Sequence, residues 1–118
     1  MVSELATRTT TASGQPIHLP QGDARIVLSE YMIAGGAKLP VHKHPSTRLA
    51  YVDAGSLAVT NTETSETITY NPGDLIVEAV DQWHFAVNAG TTPVRLIVID
   101  ELVGDGQATV LQKQVSGS

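Results

Sequence analysis

The chain has 118 residues, 42% of them hydrophobic and 16% charged, with a net charge of −5 and no cysteine. That length and composition describe one globular domain with a real core. The acidic balance argues against nucleic acid and anionic membrane surfaces, and the lack of cysteine excludes disulfides and thiolate chemistry while leaving the redox compartment open.

Residues 1–20, rich in Thr, Ser and Ala, read as an N-terminal arm able to add an edge strand. Its first eight residues lack the apolar centre of a signal peptide. This leaves open both a cytoplasmic chain and an exported chain whose signal has been trimmed. From residue 25 the pattern is that of β-structure. Strands are expected over 25–33, stopped by Gly35-Gly36, over 38–44, ended by Pro45, and over 47–53, closed by Gly55. Residues 56–61 and 67–70 flank a polar turn and form a hairpin pattern. Asn71-Pro72-Gly73-Asp74 is a strong turn signal, followed by strands over 75–78, 83–87 and 94–99. No amphipathic helix and no apolar run long enough to span a bilayer are visible. Many short strands at regular spacing predict an antiparallel sandwich or barrel. It should occupy residues 21–112, with a C-terminal tail over 113–118.

The chain has four histidines. His42 and His44 alternate on one strand face, about 6–7 Å apart along the backbone. That is a workable span for two imidazoles on one metal ion. His84 lies in a separate strand segment and is the third candidate ligand. Three imidazoles with open positions match catalytic metal sites better than closed structural ones. Nitrogen ligation suits Zn, Fe, Ni or Cu, with Mn favoured where oxygen ligands join. The sequence does not choose among these divalent metals. His18, in the arm, reads as a solvated loop residue.

Gly36, His42-Lys43-His44, Arg48 and Gly55 resemble the first conserved motif of the cupin superfamily. Gly73, Ala79, Asp81, His84 and Asn88 resemble the second. The resemblance covers residues 24–101. It implies an all-β, single-domain double-stranded β-helix, or jelly-roll barrel, with a site inside its mouth. It also implies that His42, His44 and His84 bind a divalent metal. A homodimer is the family-level expectation, because open jelly rolls often cover an edge strand with a partner.

The departures are informative. The first motif of the family carries a glutamate ligand where this chain has Arg48, and a guanidinium has no lone pair to give. Ala79 and Asp81 stand where proline and glycine are usual, which puts loop shape in question rather than the metal. The chain is most similar to small single-domain cupins with the run His-x-His-Pro-x-x-Arg and a later Gln-Trp-His. That likeness implies a fold and a site, not a substrate.

Arg48 has three expected placements. It faces the pocket and pairs with a carboxylate on a substrate or a neighbouring side chain, it is turned outward by a bulge after Pro45, or it pairs with Glu78. A buried arginine without an anion is costly, so something acidic should meet it. Glu78 reads either as a rim residue in water or as the missing carboxylate, acting as metal ligand, Arg48 partner or proton-transfer group. Arg48 and Glu78 are therefore the candidate catalytic residues. Asp53 and Asp74 read as turn-flanking acids, Asn88 as a brace for backbone near the site, and Trp83 as facing away from the metal. Tyr31, Tyr51 and Phe85 are ordinary strand aromatics. Arg95 reads as a salt-bridge or interface residue.

The leading functional expectation is a metal-dependent enzyme acting on a small organic molecule, carboxylated or not, by oxygenase, isomerase or lyase chemistry. His42, His44 and His84 would hold the ion and Arg48 would orient the substrate. The alternative is a non-catalytic binding module that holds a small anion through Arg48, since a cation in place of a ligand glutamate weakens metal binding. A third expectation is a structural metal in a dimeric stress or storage protein.

Overall fold

The structure is a computed structural model that describes residues 1–113. The tail expected over 113–118 lies outside the described residues from position 114 onward. Nine strands and no helix are found among the described residues. They are β1 (Ala24–Ile33), β2 (Lys38–Lys43), β3 (Arg48–Ala54), β4 (Leu57–Asn61), β5 (Glu66–Tyr70), β6 (Leu75–Val77), β7 (His84–Val87), β8 (Val94–Val103) and β9 (Val110–Leu111).

The strands form two antiparallel sheets, ordered β1-β8-β3-β6 and β5-β4-β7-β2-β9. Sequence neighbours are often not sheet neighbours, as expected of a jelly roll, where the chain crosses between sheets. Strand β8 shows why the sequence folds this way. Val94, Leu96, Val98, Asp100 and Leu102 are buried in strict alternation with half-buried or exposed residues, the period-2 pattern of a strand with one face on a core. Inward residues of both sheets meet in one aliphatic cluster that includes Ile33, Ala50, Val52, Leu57, Ala86 and Val98.

The expected all-β jelly roll is therefore present, and every expected strand is found within a few residues of its place. The differences have physical reasons. Strand β8 runs on past Ile99 to Val103, because Asp100 is turned inward and matched there rather than ending the strand in water. Strand β9 is only two residues long and pairs with the end of β2, too short to leave a periodic signal. The arm adds no edge strand, only an isolated bridge between Thr10 and Pro16.

The motif glycines have conformational roles. Gly36, Gly55 and Gly73 all have positive φ, at 78°, 76° and 94°, which side chains other than glycine rarely adopt. At Gly55 an added Cβ would also lie 2.8 Å from the Pro93 carbonyl oxygen. Asp81, standing where the family pattern has glycine, itself adopts φ 57°. Aspartate tolerates this left-handed region better than most residues, so the loop keeps its turn.

Gly55→Ala is expected to destabilise the fold by about 1–2 kcal/mol from the backbone conformation alone, with the clash adding to this. Urea denaturation of the two proteins measures the difference.

Candidate metal centre

His42 and His84 are direct cross-strand partners on β2 and β7. Their ring centroids lie 4.3 Å apart, and a register shift between Leu39 and His42 turns the end of β2 to make this match. His44 lies just beyond β2, bridged to Val80, with its ring 5.0 Å from that of His42 and 4.9 Å from that of His84. All three side chains are buried, and one candidate ligand atom from each lies within 4.8 Å of the others. The structure thus brings together the three histidines singled out by sequence, and leaves His18 exposed in the arm.

Each Nδ1 is tied to a backbone carbonyl. His42 meets Pro40 O at 2.6 Å, His44 meets Ala108 O at 3.0 Å, and His84 meets Gln82 O at 3.0 Å. A carbonyl only accepts, so each Nδ1 carries the proton and each Nε2 presents the other face of the ring to the centre. Burial disfavours the charged form of His42 and His84. It lowers the His42 pKa to about 4 and moves that of His84 down as well. Nδ1 anchoring with free Nε2 lone pairs is the arrangement that metal-ligating histidines adopt.

Glu78 follows β6 and faces this centre rather than the rim. Its Oε2 lies 2.6 Å from His44 Nε2, and its side chain is only 14% exposed. The expectation of a solvated rim residue is corrected here. The segment after β6 turns inward because it is pinned from several directions. Glu78 N donates to Arg48 O, Ala12 N donates to Val77 O, and Asp81 N donates to His44 O. The Gln15 side chain clasps Val80, donating to its carbonyl at 2.9 Å and accepting from its N–H at 2.8 Å. The arm is therefore a strap that holds the Glu78 segment in place.

The electrostatics of Glu78 are those of an anion. Burial pushes its pKa up, but the His44 contact, with further pull from His84 and Arg48, holds it down at about 2. The side-chain nitrogens His44 Nε2 and His84 Nε2 and the oxygen Glu78 Oε2 are buried without a well-formed hydrogen bond. With His44 Nδ1 donating to Ala108, a neutral His44 would set two lone pairs against each other across 2.6 Å. A proton relieves that conflict at one nitrogen. A cation between His44 and Glu78 would relieve it as well.

Arg48 is 5% exposed and inward-facing, so it is not turned out after Pro45. Its partner is neither Glu78 nor solvent but Asp100, which is 3% exposed and directly across the ladder on β8. Arg48 Nε donates to Asp100 Oδ1 at 2.6 Å and Nη2 to Oδ2 at 3.0 Å. Nη2 also donates to Tyr31 Oη at 3.1 Å and reaches Thr109 Oγ1 at 3.4 Å. Burial disfavours the charge, and the hydrogen bonds to Asp100 more than restore it.

Asp100, Tyr31 and Thr109 are the site residues that sequence reasoning missed. The strand periodicity of β8, carried two residues further, would have placed Asp100 inward opposite Arg48. Nothing local marks Thr109. Trp83 faces away from the histidines with the Lys43 ammonium over its ring at 4.6 Å. Asn88 is buried and braces backbone, donating to the Ile33, Ala34 and Thr92 carbonyls. Arg95 pairs outside the barrel with Glu30 and Asp53.

His42, His84, Glu78 and Arg48 border a cavity of about 400 Å³ in the barrel, walled mostly by aliphatic side chains such as Leu39, Leu57, Val59, Leu96 and Val98, with Tyr31 and Thr109. This is within the range of small-molecule sites.

Comparison with known proteins agrees with this architecture. A family model described as Cupin domain matches residues 29–100. No curated protein matches the chain by sequence. Among solved structures, the polyketide cyclase RemF from Streptomyces resistomycificus is similar at 22% identity and TM-score 0.64, over 79% of this chain and 66% of that one. The DMSP lyase DddQ from Ruegeria pomeroyi DSS-3 is similar at 22% identity and TM-score 0.62, over 73% of this chain and 42% of that one. A recombinant oxalate oxidase in complex with glycolate gives 22% identity and TM-score 0.59, over 73% of this chain and 45% of that one. The chain thus spans less than two thirds of the length of each of these, and at such identity the likeness is one of fold.

Asp100→Ala, which leaves the buried Arg48 unpaired, is expected to cost about 3–5 kcal/mol of stability. Replacing the pair together, Arg48→Met with Asp100→Leu, is expected to cost clearly less. Urea unfolding of the single and double variants checks both.

Proposed function

The chain belongs to the cupin domain family, and from that premise we propose that it is a metal-dependent enzyme acting on a small organic molecule held in the barrel. The single observation that carries the reading is the convergence of three Nδ1-anchored imidazoles, with the buried Glu78 carboxylate against one of them, His44. His42, His44 and His84 would hold a divalent ion through Nε2. Glu78 would supply the carboxylate that Arg48 displaces from its usual place in the family pattern.

The donor set fits such an ion. It offers three imidazoles and a carboxylate, a mixture accepted by Zn, Fe, Ni, Mn or Cu. When bound, the ion supplies a Lewis acid that polarises an oxygen of the substrate or activates water or dioxygen. The rest is the work of the chain. Backbone carbonyls fix the three ring orientations, and aliphatic walls exclude water from the cavity. The Arg48–Asp100 pair fixes hydrogen-bond donors on the cavity wall. Oxygenase, isomerase and lyase chemistry all remain within this reading, and the fold neighbours differ among themselves in what their names describe.

The reading of a non-catalytic module that holds an anion through Arg48 is supported less well, because Asp100 already takes both oxygens' worth of the guanidinium's pairing. A homodimer belongs to the proposal as well. Strand β1 is a ten-residue sheet edge whose outer face exposes Ile26, Leu28 and Met32, and a second copy would cover it.

Protein purified without added metal is expected to carry about one divalent ion per chain by elemental analysis, and His42→Ala with His84→Ala to carry none. Glu78→Gln is expected to weaken zinc binding on the order of 10–100-fold, measured by competition with a chromophoric chelator. Metal-free protein that keeps the melting temperature of the loaded form would contradict the proposal. Sedimentation velocity should show a dimer that Leu28→Arg converts to monomer.

A further inference from the structure

Part of the N-terminal arm is built rather than loose. Residues 10–16 close on themselves. Thr10 bridges Pro16, Thr11 N donates to Gln15 O, and Gly14 N donates to Thr11 O, with Gly14 at φ 87°. Thr11 is 4% exposed, and its Oγ1 donates to Gln15 Oε1 at 2.9 Å. These bonds orient the Gln15 amide from within the arm itself.

The amide meets the free edge of a short strand. Strand β6 ends at Val77 and is the last strand of its sheet. Ala12 N donates to Val77 O at that edge. Beyond it, the Gln15 amide takes both backbone groups of Val80, donating to its carbonyl and accepting from its N–H. One side-chain amide thus makes the paired bonds that a neighbouring strand would make, and the arm covers an edge that would otherwise be open. Val80 is also the residue that bridges His44, and it lies two positions beyond Glu78.

Glu78 needs such support. Its side chain is largely removed from water and sits against His44, with Oε2 lacking a well-formed hydrogen bond. A buried carboxyl group so poorly partnered returns to water unless the backbone withholds it. The Glu78 N–H is tied to Arg48 O, and the bonds at Val80 tie the chain on the other side.

We propose that Gln15 is a positioning residue of the metal centre: by clamping Val80 it holds the Glu78 carboxylate against the histidines, so the arm is part of the site. This rests on the reading of Glu78 as the carboxylate offered to the ion, and adds to it a determinant that lies outside both histidine segments.

Two measurements separate the clamp from the ion. Gln15→Leu removes both bonds to Val80 while the backbone bond from Ala12 can remain. In metal-free protein, the amides of Glu78, Val80 and Asp81 are expected to exchange hydrogen about tenfold faster in the variant, relative to the amide of Val98 in the sheet interior. Zinc affinity, read on the folded protein by chelator competition, is expected to fall about tenfold. A role in stability alone would lower the melting temperature and leave the zinc affinity as it was. Because Gln15 acts through Glu78, its loss from the Glu78→Gln protein should weaken zinc by less than about twofold more. Unchanged zinc affinity in Gln15→Leu would overturn the proposal, as would the same loss with and without Glu78, or unchanged exchange at Val80. If Gln15→Leu does not fold, Thr11→Val, which removes the hydroxyl that holds Gln15 Oε1, is judged by the same outcomes. If the unaltered protein binds no zinc, the metal reading fails, and exchange at Glu78 and Val80 decides alone whether Gln15 holds the segment.

Discussion

A buried ion pair between Arg48 and Asp100 sets the terms for the rest of the barrel interior. The two residues are register partners on β3 and β8, in the middle of the four-stranded sheet, and each is almost wholly removed from water. Two isolated charges in that position would be prohibitive, and only a two-pronged geometry with further hydrogen bonds makes the pair tolerable. Tyr31 on β1 and Thr109 near β9 supply those bonds, so one guanidinium links three strands of the four-stranded sheet to the segment before β9. With the pair in place, the guanidinium at position 48 is committed to Asp100, and a carboxylate for the proposed metal has to come from elsewhere.

The carboxylate proposed for the metal lies thirty residues further on. Glu78 enters the centre from the segment after β6, where the N-terminal arm, the Arg48 carbonyl and the His44 carbonyl fix the backbone on several sides. The same backbone position that carries Arg48 into the cavity thus accepts the hydrogen bond that orients Glu78. The three imidazoles converge whatever the fourth group is, because their placement depends on the β2–β7 register and on carbonyl anchors.

Much of this was legible in the sequence. The alternation of apolar residues gave the strands, and the glycines at 36, 55 and 73 marked turns that the chain makes with positive φ. His42, His44 and His84 could be grouped because a strand puts alternate residues on one face and because their glycine frames resemble a known pair of motifs. What was not legible depends on long-range pairing. Asp100 follows an apolar run, and a charged residue there looks like a strand's end until Arg48 is set opposite it. Glu78 looks like a rim residue because its burial is imposed by the arm, through Gln15 and Ala12, from more than sixty residues away in the chain. Strand β9 is too short for any periodicity, and the contacts of Thr109 and Ala108 with Arg48 and His44 are visible only once the fold is closed.

The central claim is that three imidazoles and the Glu78 carboxylate share one divalent ion. X-ray absorption spectroscopy of the zinc-loaded protein tests it most directly. The account predicts a single shell of nitrogen and oxygen neighbours at about 2.0–2.1 Å, with outer-shell scattering from three imidazoles, and loss of one oxygen neighbour in the Glu78→Gln protein. A zinc environment with fewer than three imidazoles, or one unchanged by Glu78→Gln, would contradict it.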